Sequence, residues 1–451
     1  MDRRKFIGNI GLASSLTLLS VKAQAKPASK NDKLNVAFIG VGARGTGQLR
    51  IALKRKDIEI IALCDIDSKN LNNACEMVKT AKQKTPQLFG KGENDYKNLL
   101  QIKDLDAVIV STPWLWHTQM AIDSMNANVP VGLEVSGAFN LQECWDLVEA
   151  YEKTKTPFFV LENVAYRRDI MAVLNMVRQN MFGEIIHLEG GYQHDLREVK
   201  FNNGKQLYGG GVEFGEKAYS EAKWRTDNSV HRNGDLYPTH GLGPVANMIN
   251  NNRGNRFLYL TSIASKARGL HNYVVEHPEG GKNHPNASVE FKLGDVVTTN
   301  IKCANGESIL LSHDTNLPRP YSLGFRVQGT KGIWMDVNNG IHIDKVSKPH
   351  EWDIASDLLK KYDHPLWKKY ESESEGAGHG GMDFFVLHGF FEALKNNEAM
   401  PMDVYDFVSW AAVTCLSEQS VEQGSAPVYF PDFTRGKWMI RKPIFGFDDR
   451  F

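Results

Sequence analysis

A tyrosine and a histidine stand three residues apart in residues 234–244, which read Gly-Asp-Leu-Tyr-Pro-Thr-His-Gly-Leu-Gly-Pro. Both side chains can transfer protons, and imidazole titrates near neutral pH. Pro238 suits the first turn of a helix, where its missing N–H costs nothing. Residues three apart share a helix face, so Tyr237 and His240 are predicted to point at one spot. The alternative is a capped helix with a histidine packed in the core.

A glycine motif near the start of the chain predicts a nucleotide partner for this chemistry. Residues 35–45, Asn-Val-Ala-Phe-Ile-Gly-Val-Gly-Ala-Arg-Gly, join an apolar strand to G-x-G-x-x-G, and an acid follows a second apolar run. Gly40 permits the tight turn, Gly42 lets the backbone approach a pyrophosphate, and Gly45 allows the helix to pack on the strand. Asp65 favours the free ribose 2′-OH of NAD, and no arginine follows it in residues 66–69 to favour a 2′-phosphate.

The first 25 residues have the pattern of an export signal. Two arginines and a lysine precede an apolar run over 10–21, and Ala-Gln-Ala ends at residue 25. A basic start, a short apolar stretch and small residues are typical of a secretory signal, and this run is too short to span a bilayer comfortably. Arg3-Arg4 before Phe-Ile resembles a twin-arginine signal. We therefore predict a signal peptide over 1–25 and export of the folded protein to the periplasm or beyond, with no membrane anchor after cleavage. An ordinary signal or an uncleaved anchor is the alternative.

Export and NAD together suggest how the cofactor must be used. A dinucleotide has to be loaded in the cytoplasm, because little free NAD exists outside it. A dehydrogenase that released NADH there would stop after one turnover. We therefore expect the cofactor to stay bound and to be regenerated within each catalytic cycle.

The composition excludes several other classes of protein. Lys plus Arg and Asp plus Glu are 53 each among 451 residues, and this zero net charge argues against a nucleic acid or an acidic membrane as partner. The five cysteines are scattered and predict buried thiols, not disulfides or a zinc site. The fourteen histidines show no metal-binding spacing, so no metal is predicted.

The order of the elements predicts two domains after the signal. From Leu34 to about Val160 strands alternate with helices, which is typical of a parallel doubly wound sheet. After Tyr166, alternating runs between 185 and 337, including 287–293 and 323–329, predict a large open, mostly antiparallel sheet. Helices are predicted at 382–395 and 403–423. The fold class is thus an α/β Rossmann domain that binds NAD (34–161), followed by an α+β substrate-binding domain (162–451).

This organisation resembles the Gfo/Idh/MocA oxidoreductases, in which the open face of the second sheet receives the substrate and often pairs with another copy. A homodimer is therefore possible. Two positions depart from that family. Its Glu-Lys-Pro is replaced by Glu134-Val-Ser136, and the acid expected four residues before the helical histidine is Leu236. The usual Lys-Asp-His relay is thereby reduced to His240, which weakens the interpretation as a plain dehydrogenase.

The blocks Trp114-Leu-Trp-His117 and Tyr237-Pro-Thr-His240 resemble glycoside hydrolase family 109, and the resemblance covers the whole chain. That family consists of NAD-dependent α-N-acetylgalactosaminidases with a twin-arginine signal. The resemblance implies NAD contacts from Ala43, Arg44, Asp65, Trp114, Leu115, Trp116, His117, Glu134, Val135 and Asn163. It implies contacts to the sugar of a small-molecule or glycan substrate from Tyr192, Arg225, Tyr237, Pro238, Thr239, His240 and Tyr321.

Such a site would hydrolyse a glycoside without the usual pair of flanking carboxylates. NAD takes hydride from C3 of the sugar, and the resulting ketone makes the C2 proton acidic. A base removes that proton, the bond from C1 to the leaving oxygen breaks by elimination, and water adds to the enone. NADH then returns the hydride to C3. The cycle ends without net redox change, as a bound, non-exchanging cofactor requires.

We assign proton-transfer roles within this cycle. His240 takes the proton of the C3 hydroxyl, and Tyr192 is the C2 base, which requires Arg225 to be adjacent and to depress the pKa of Tyr192. Tyr237 and Tyr321 bind and orient the sugar, and either could exchange roles with Tyr192. Glu162 either assists the leaving group or water, or is a buried structural carboxylate.

Two histidines receive no role, and two other functions remain open. His194 is interpreted as part of a strand cap, and His379 lies in a glycine-rich loop over 376–381. The first alternative function is an exported NAD(P)-dependent sugar oxidoreductase that recycles a tightly bound cofactor between two substrates. The second is a non-catalytic sensor of NAD or sugar.

Overall fold

The structure is a computed structural model and describes residues 33–451. The predicted signal peptide, residues 1–25, lies outside the described residues. Among residues 33–451, no helix combines the length and the apolar character needed to cross a membrane.

Six short strands between residues 34 and 160 form a parallel sheet. The strands are β1 (Leu34–Ile39), β2 (Ile58–Cys64), β3 (Gln87–Phe89), β4 (Ala107–Val110), β5 (Val131–Leu133) and β6 (Phe158–Val160). Their order is β3-β2-β1-β4-β5-β6. Every residue of β4 is buried, as a strand covered on both faces requires. The strand order reverses between β1 and β4, which opens a crevice at their carboxyl ends. The predicted Rossmann fold is confirmed.

Helices connect these strands and bring the predicted contact residues to the crevice. They are α1 (Ala43–Ala52), α2 (Ser68–Thr80), α3 (Tyr96–Leu99), α4 (Trp114–Asn126) and α5 (Leu141–Thr154). Helix α4 begins directly after Pro113, so the block from Trp114 to His117 forms its first turn. Since α4 follows β4, this turn stands at the carboxyl edge of the sheet.

A second, nine-stranded sheet follows. Its strands are β7 (Ile185–Gln193), β8 (Phe257–Ala264), β9 (Val296–Cys303), β10 (Ser308–Asp314), β11 (Arg326–Gly329), β12 (Gly332–Met335), β13 (Gly340–Ile343), β14 (Asp353–Ile354) and β15 (Val428–Tyr429). The order is β14-β13-β12-β11-β7-β10-β9-β8-β15. Only β7 and β10 pair in parallel among the described strands of this sheet, so the predicted mostly antiparallel sheet is confirmed. Burial alternates along β9, which indicates one face packed on helices.

The remaining helices flank this sheet or return to the first one. They are α6 (Arg168–Arg178), α7 (Arg197–Lys200), α8 (Arg225–His231), α9 (Thr239–Met248), α10 (Gly269–Glu276), α11 (Ala355–Lys361), α12 (Pro365–Ser374), α13 (Met382–Lys395) and α14 (Val404–Glu422). Short 3₁₀ turns lie at Asn163–Tyr166, Gly215–Lys217, Ser220–Lys223, Pro285–Ser288, His379–Gly381 and Lys437–Met439. Asp403 caps α14 by accepting a hydrogen bond from the Tyr405 N–H, which explains why this helix begins where the sequence predicted it.

The C-terminal helices pack against the Rossmann domain. The N–H of Val160, in β6, donates to the carbonyl of Met402 over 3.2 Å. The ring of Phe159 stacks on that of Phe390, in α13, with centroids 5.9 Å apart. Arg55, after α1, donates to Glu392 at the same interface. One hydrophobic core therefore joins both sheets.

Two predicted strands are shorter or absent. Residues 287–293 contain no strand, because Pro285 begins a 3₁₀ turn whose Asn286 N–H is capped by the His284 ring. The run 323–329 becomes a strand only from Arg326, since Gly324 adopts φ +62° and interrupts the extended backbone. The buried side chains of residues 323 and 325 nevertheless serve the core.

Candidate functional site

A cleft of about 930 Å³ runs between the carboxyl edge of the Rossmann sheet and the end of β7. One end is lined by residues of the glycine turn and by Asp65, and the other by Tyr192, Arg225, His240 and Tyr321. Clefts of this size at a reversal in strand order are the usual dinucleotide sites of such sheets. The cleft therefore joins the predicted cofactor residues to the predicted substrate residues.

The glycine turn has the geometry that a pyrophosphate needs. Gly40 has φ +85°, and a Cβ there would lie 2.7 Å from the carbonyl oxygen of Ser111. A Cβ on Gly45 would lie 2.0 Å from the Gly40 oxygen, so helix and turn touch through backbone alone. Gly42 differs, because the nearest atom to its missing Cβ is 3.7 Å away and the residue faces the cleft. The first and third glycines thus close the turn, and the second leaves an open cradle at the start of α1.

Asp65 stands at the end of β2 with its carboxylate held by the backbone. One oxygen accepts from the Val41 N–H and the other from the Asp67 N–H, both over 2.8 Å. Burial raises the pKa of Asp65 above its ordinary value. The group lines the cleft as an acceptor, which fits a ribose hydroxyl and would repel a 2′-phosphate.

Arg44 is tied to two carboxylates and does not reach freely into the cleft. Its Nε donates to Glu134 over 2.6 Å, and its Nη1 donates to Asp383, in α13, over 2.9 Å. Gln48 donates to the same oxygen of Glu134. Burial raises the pKa of Glu134 and Arg44 opposes this. The network fixes the floor of the cleft where α1, the end of β5 and α13 meet.

Asn163 provides a further test of whether a nicotinamide fits. Its Nδ2 donates to Asp383 over 2.7 Å, which orients the amide. Its Oδ1 is buried and has no partner among the described residues. Asn163 lines the cleft, so this oxygen is an acceptor available to a bound group that carries N–H or O–H donors. NAD carries both kinds of donor.

The first turn of α4 forms the wall between the two ends of the cleft. The ring of Trp114 lies 5.0 Å from that of Trp224 and 5.5 Å from that of Tyr237. His117 holds the loop after β5, because its Nδ1 lies 2.5 Å from the carbonyl oxygen of Ser136. Residues 114, 116 and 117 line the cleft together with Val135.

Three predicted contact residues do not offer side chains to the cleft. Leu115 is 73% exposed and points away on the outer side of the α4 turn. Pro238 is the N-cap of α9 and not a residue of its first turn, and Thr239 is fully buried. These two residues shape the helix start, because they place Tyr237 before α9 and His240 in its first turn.

His240 forms a pair with Glu162 at the centre of the site. Its Nδ1 lies 2.8 and 2.9 Å from the two oxygens of Glu162, which is fully buried at the end of β6. A carboxylate only accepts, so Nδ1 carries the hydrogen and Nε2 keeps its lone pair. Glu162 therefore orients His240 and is not among the residues that line the cleft. This geometry favours a buried structural carboxylate over a direct part in proton transfer to the leaving group or water, and the role of Glu162 stays a prediction.

Two tyrosine rings lie against the imidazole of His240, and a third lies beyond them against Tyr192. The ring of Tyr237 lies 4.8 Å from that of His240, and the ring of Tyr192 lies 5.5 Å from it. Tyr192 and Tyr237 are 4.5 Å apart, and Tyr321 is 6.4 Å from Tyr192. The predicted convergence of Tyr237 and His240 is thus observed, with Tyr192 beside both and Tyr321 beside Tyr192.

Tyr192 lies on the helix-covered side of β7. Gly190, two residues earlier and so on the same side, touches Gly241 of α9. The expectation that the open face of the sheet receives the substrate is therefore wrong. The site lies at the carboxyl end of the covered face, because α9 brings His240 there.

Arg225 lies beside Tyr192 but does not set its pKa as predicted. Burial raises the pKa of Tyr192, and the nearby Arg225 opposes this without reversing it. The expected depressed pKa is therefore wrong for the protein alone. The guanidinium lies 4.9 Å from the Trp114 ring and 5.4 Å from the Tyr237 ring, and it donates to Glu221. It forms part of an aromatic box.

Two histidines that received no role in the sequence line the cleft. Tyr192 Oη lies 3.4 Å from Nδ1 of His194, and burial lowers the pKa of His194. The alternation of β7 offered a partial signal, since residues 192 and 194 are two apart. His379 Nδ1 lies 2.7 Å from Asp383 Oδ2, and this bond raises the pKa of His379. Its sequence signals were the flanking glycines and the spacing of four residues to Asp383.

Asp383 is shared between the cofactor end and His379. Burial would raise the pKa of Asp383, but hydrogen bonds from His379 and Arg44 outweigh burial and hold the pKa below its ordinary range. The carboxylate is therefore ionised and gives His379 a charged partner. Among the described residues, the cleft contains two histidine–carboxylate pairs, His240–Glu162, which is mostly buried, and His379–Asp383, whose histidine is exposed.

Family comparisons match both halves of the chain. The model of the glycosyl hydrolase 109 C-terminal domain matches residues 166–440. The model of the oxidoreductase family NAD-binding Rossmann fold matches residues 34–162.

Two curated relatives are similar along almost their full lengths. A glycosyl hydrolase family 109 protein of Stenotrophomonas maltophilia (strain K279a) is 51% identical over 455 residues, which cover 100% of this chain and 99% of the relative. An alpha-N-acetylgalactosaminidase of Tannerella forsythia is 50% identical, with 94% of this chain and 92% of the relative covered.

Solved structures share the fold at low identity. An NAD binding oxidoreductase from Klebsiella pneumoniae superposes with a TM-score of 0.64 at 15% identity, covering 89% of this chain and 100% of that chain. A levoglucosan dehydrogenase in complex with NADH and levoglucosan gives a TM-score of 0.63 at 17% identity, with the same coverage. These likenesses show the Rossmann domain with its attached open sheet.

Proposed function

The chain belongs to glycosyl hydrolase family 109 and is an NAD-dependent glycosidase, and we propose that it hydrolyses terminal α-N-acetylgalactosaminides. The observation that carries the proposal is the buried His240–Glu162 pair, which stands with Tyr192 and Tyr237 in the same cleft as the dinucleotide cradle. We further propose that the reaction proceeds by oxidation at C3, elimination, addition of water and reduction.

NAD, when bound, supplies reversible hydride transfer at C3 of the sugar. The chain must then move the protons that accompany each step. His240 Nε2, whose orientation Glu162 fixes, takes the proton of the C3 hydroxyl as the ketone forms. The negative charge of Glu162 stabilises the imidazolium until the proton is returned in the last step.

The C3 ketone makes the C2 proton acidic, and Tyr192 is the residue proposed to remove it. Because burial keeps the pKa of Tyr192 high, the phenolate that removes the C2 proton must first be formed by loss of the phenol's own proton. His194 is placed to accept that proton at Nδ1, 3.4 Å from the phenol oxygen. Arg225 stabilises the transient phenolate charge between the two transfers. The electron pair of the C2–H bond becomes the C1–C2 double bond, and the C1–oxygen bond breaks.

The departing oxygen needs a proton, and the water that replaces it must lose one. His379 is proposed for both transfers, since its ring lines the cleft and its pKa is raised by the ionised Asp383. Its two neighbours in the chain are glycines and carry no side chains. The reverse proton transfer at C2 and hydride return at C3 complete the hydrolysis with no net oxidation.

A solvent-isotope experiment tests the chemistry. Release of p-nitrophenol from its α-N-acetylgalactosaminide is followed in deuterated water, without added NAD. Product that carries deuterium at C2 supports elimination and a self-recycling cofactor. Hydrolysis without C2 exchange would point to a shielded base or direct displacement, and no hydrolysis would favour another glycoside or the sugar oxidoreductase.

We also propose that the chain is exported in a folded state by the twin-arginine route. Arg3-Arg4, the apolar run and Ala-Gln-Ala over 23–25 support this. Replacing both arginines by lysine should leave the protein in the cytoplasmic fraction, and normal export of that variant would contradict the route. A homodimer and the absence of nucleic-acid partners stay predictions.

A further inference from the structure

Glu221 lies in the cleft beside Arg225 and has no part in the proposed chemistry. It belongs to the 3₁₀ turn Ser220–Lys223, which ends two residues before α8 begins. Its Oε2 accepts a hydrogen bond from Nη1 of Arg225, and both residues line the cleft. The side chain of Glu221 is 28% exposed and that of Arg225 is 11% exposed, so water screens this ion pair only in part.

Arg225 is held in place by contacts that do not depend on the charge of Glu221. Its guanidinium lies 4.9 and 5.4 Å from two rings of the aromatic box. Thr226, the next residue, donates its hydroxyl to the carbonyl oxygen of Lys200 over 2.5 Å, which ties the start of α8 to α7. The guanidinium would therefore stay beside Tyr192 if Glu221 lost its charge and kept its shape.

The charges of Arg225 and Glu221 act on the phenol of Tyr192 in opposite directions. Burial is the largest cause of the raised pKa of Tyr192, Arg225 opposes it, and Glu221 adds to it. Burial would lower the pKa of Arg225, but contacts led by Glu221 raise it, so the guanidinium stays charged. An ion pair presents less net charge to a third group than its arginine alone would present. The pair therefore stabilises a phenolate less than an unpaired guanidinium would.

The other titratable groups around Tyr192 and Arg225 do not replace this effect. Three basic side chains have pKa values that are lowered chiefly by burial, namely His194, Lys200 and His313. Three phenols have pKa values that are raised chiefly by burial, namely Tyr208, Tyr237 and Tyr321. His240 faces Tyr192 and is paired with Glu162. Two lysines of the neighbouring segments are exposed, so water screens their charges, namely Lys205 and Lys223.

We infer that Glu221 is a positioning residue that acts through Arg225: its negative charge offsets the positive charge of the guanidinium at Tyr192, so that Tyr192 is a neutral phenol in the resting enzyme; the inference rests on the proposed function. Before the C3 ketone forms, the C2 proton is not acidic and a phenolate would have no proton to remove. Once the ketone has formed, the phenol proton passes to His194, and Arg225 stands beside the phenolate that then takes the C2 proton.

The test is a spectrophotometric titration of tyrosine ionisation in the NAD-loaded protein. Glu221→Gln removes the charge and keeps an acceptor for Arg225, so it should lower the pKa of one tyrosine by about one unit or more. The shift should vanish when Tyr192→Phe is added, which assigns it to Tyr192. Glu221→Ala should give the same shift, because the charge matters and not the shape. Glu221→Asp should restore most of the wild-type titration.

Asp227→Asn is the matched control, since Asp227 lies on α8, pairs with His231 and has a side chain that is 68% exposed. It removes one carboxylate from the adjoining helix and should leave the tyrosine titration unchanged. The inference would be overturned by the absence of a shift in both Glu221→Gln and Glu221→Ala. An equal shift in Asp227→Asn, or a shift that persists after Tyr192→Phe is added, would overturn it as well.

Steady-state kinetics on p-nitrophenyl α-N-acetylgalactosaminide separate this role from direct binding of the sugar. KM should change less than about threefold in Glu221→Gln, because this residue acts on the base and not on the substrate. A rise in KM of about tenfold or more without a tyrosine shift would overturn the inference in favour of a sugar contact. If the wild type hydrolyses no such glycoside, the proposed function fails, whereas the titration still decides whether Glu221 controls the ionisation of Tyr192.

Discussion

The two histidine–carboxylate pairs of the cleft differ in their access to water. The His240 side chain is 13% exposed and Glu162 is fully covered, whereas the His379 side chain is 61% exposed against a buried Asp383. A covered pair suits a proton that must be held and returned to the same oxygen. An exposed pair suits a group that meets a leaving alcohol and then water.

His240→Ala should lower kcat about 10²- to 10⁴-fold, because the base for the C3 hydroxyl is removed. Bound NAD should be retained, since the cradle at Gly42 does not involve this residue. Glu162→Gln should have a smaller effect in the same direction, because the imidazolium loses its charged partner. Activity and the NAD content of the purified variants are the measurements. His231→Ala, on the exposed side of α8, is the control. Near-wild-type rates for His240→Ala would remove this residue from the mechanism.

His379→Ala should discriminate between leaving groups. A methyl glycoside needs its oxygen protonated as the bond breaks, whereas p-nitrophenolate leaves without help. We expect about a 10²-fold loss or more on the methyl glycoside and at most about a tenfold loss on the p-nitrophenyl one. His240→Ala should affect both substrates alike. Equal losses for His379→Ala on the two substrates would contradict a role at the leaving oxygen.

Asp235, just before Tyr237, makes stability depend on pH. It is almost fully buried, accepts only from the Tyr237 N–H among the described contacts, and burial raises its pKa to about 7. The folded state thus binds the proton more tightly than the unfolded chain, whose aspartate pKa is about 3.9. The contribution of Asp235 to the free energy of unfolding is fully present below about pH 4, and it is lost as the pH rises to about 7.

Asp235→Asn should remove that loss, because an amide keeps the acceptor and carries no charge. The difference of about 3 units between the folded and unfolded pKa values corresponds to at most about 4 kcal/mol. The variant should gain this free energy of unfolding at pH 8 and gain none near pH 4. Chemical unfolding at both pH values measures this difference. Asp353→Asn, at an exposed position of β14, should show none. The same stability gain at pH 4 and pH 8 would argue against titration of Asp235.

At the scale of elements, α1 contains two glycines with opposite roles. A Cβ at Gly45 would lie 2.0 Å from the Gly40 oxygen, whereas no atom lies within 4 Å of a Cβ at Gly47. The first glycine is required for packing, and the second only weakens the helix. The pair offers a matched comparison within one element.

Gly45→Ala should displace α1 from the turn and abolish retention of NAD. Gly47→Ala should raise stability by up to about 1 kcal/mol, because alanine is the better helix former. The melting temperature and the NAD content of each purified variant test both statements. Normal NAD content in Gly45→Ala would show that the turn tolerates the shift.

At the scale of the whole molecule, the features that could be predicted from the sequence are those that depend on residues close together in the chain. The Rossmann strands, α13 and α14 followed from periodicity and caps. The meeting of Tyr237 with His240 was predicted from helical spacing and is observed, although Tyr237 lies before the N-cap of α9 and not on the helix. The position of His379 in the cleft did not, although Asp383 is only four residues away, because the packing of α12 and α13 is what brings this glycine loop to the cleft. The raised pKa of Tyr192 was missed because burial by distant elements decides it.

The shared carboxylate of Asp383 also sets an order of events during synthesis. Arg44 and Asp383 are 339 residues apart in the chain, yet both belong to the floor of the cofactor cleft. A nascent chain that has finished all six Rossmann strands still lacks this floor while the ribosome makes the rest. NAD therefore reaches its final environment only when the chain is complete. An export machinery that accepts only finished proteins would then depend on the C-terminal helices as well as on Arg3-Arg4.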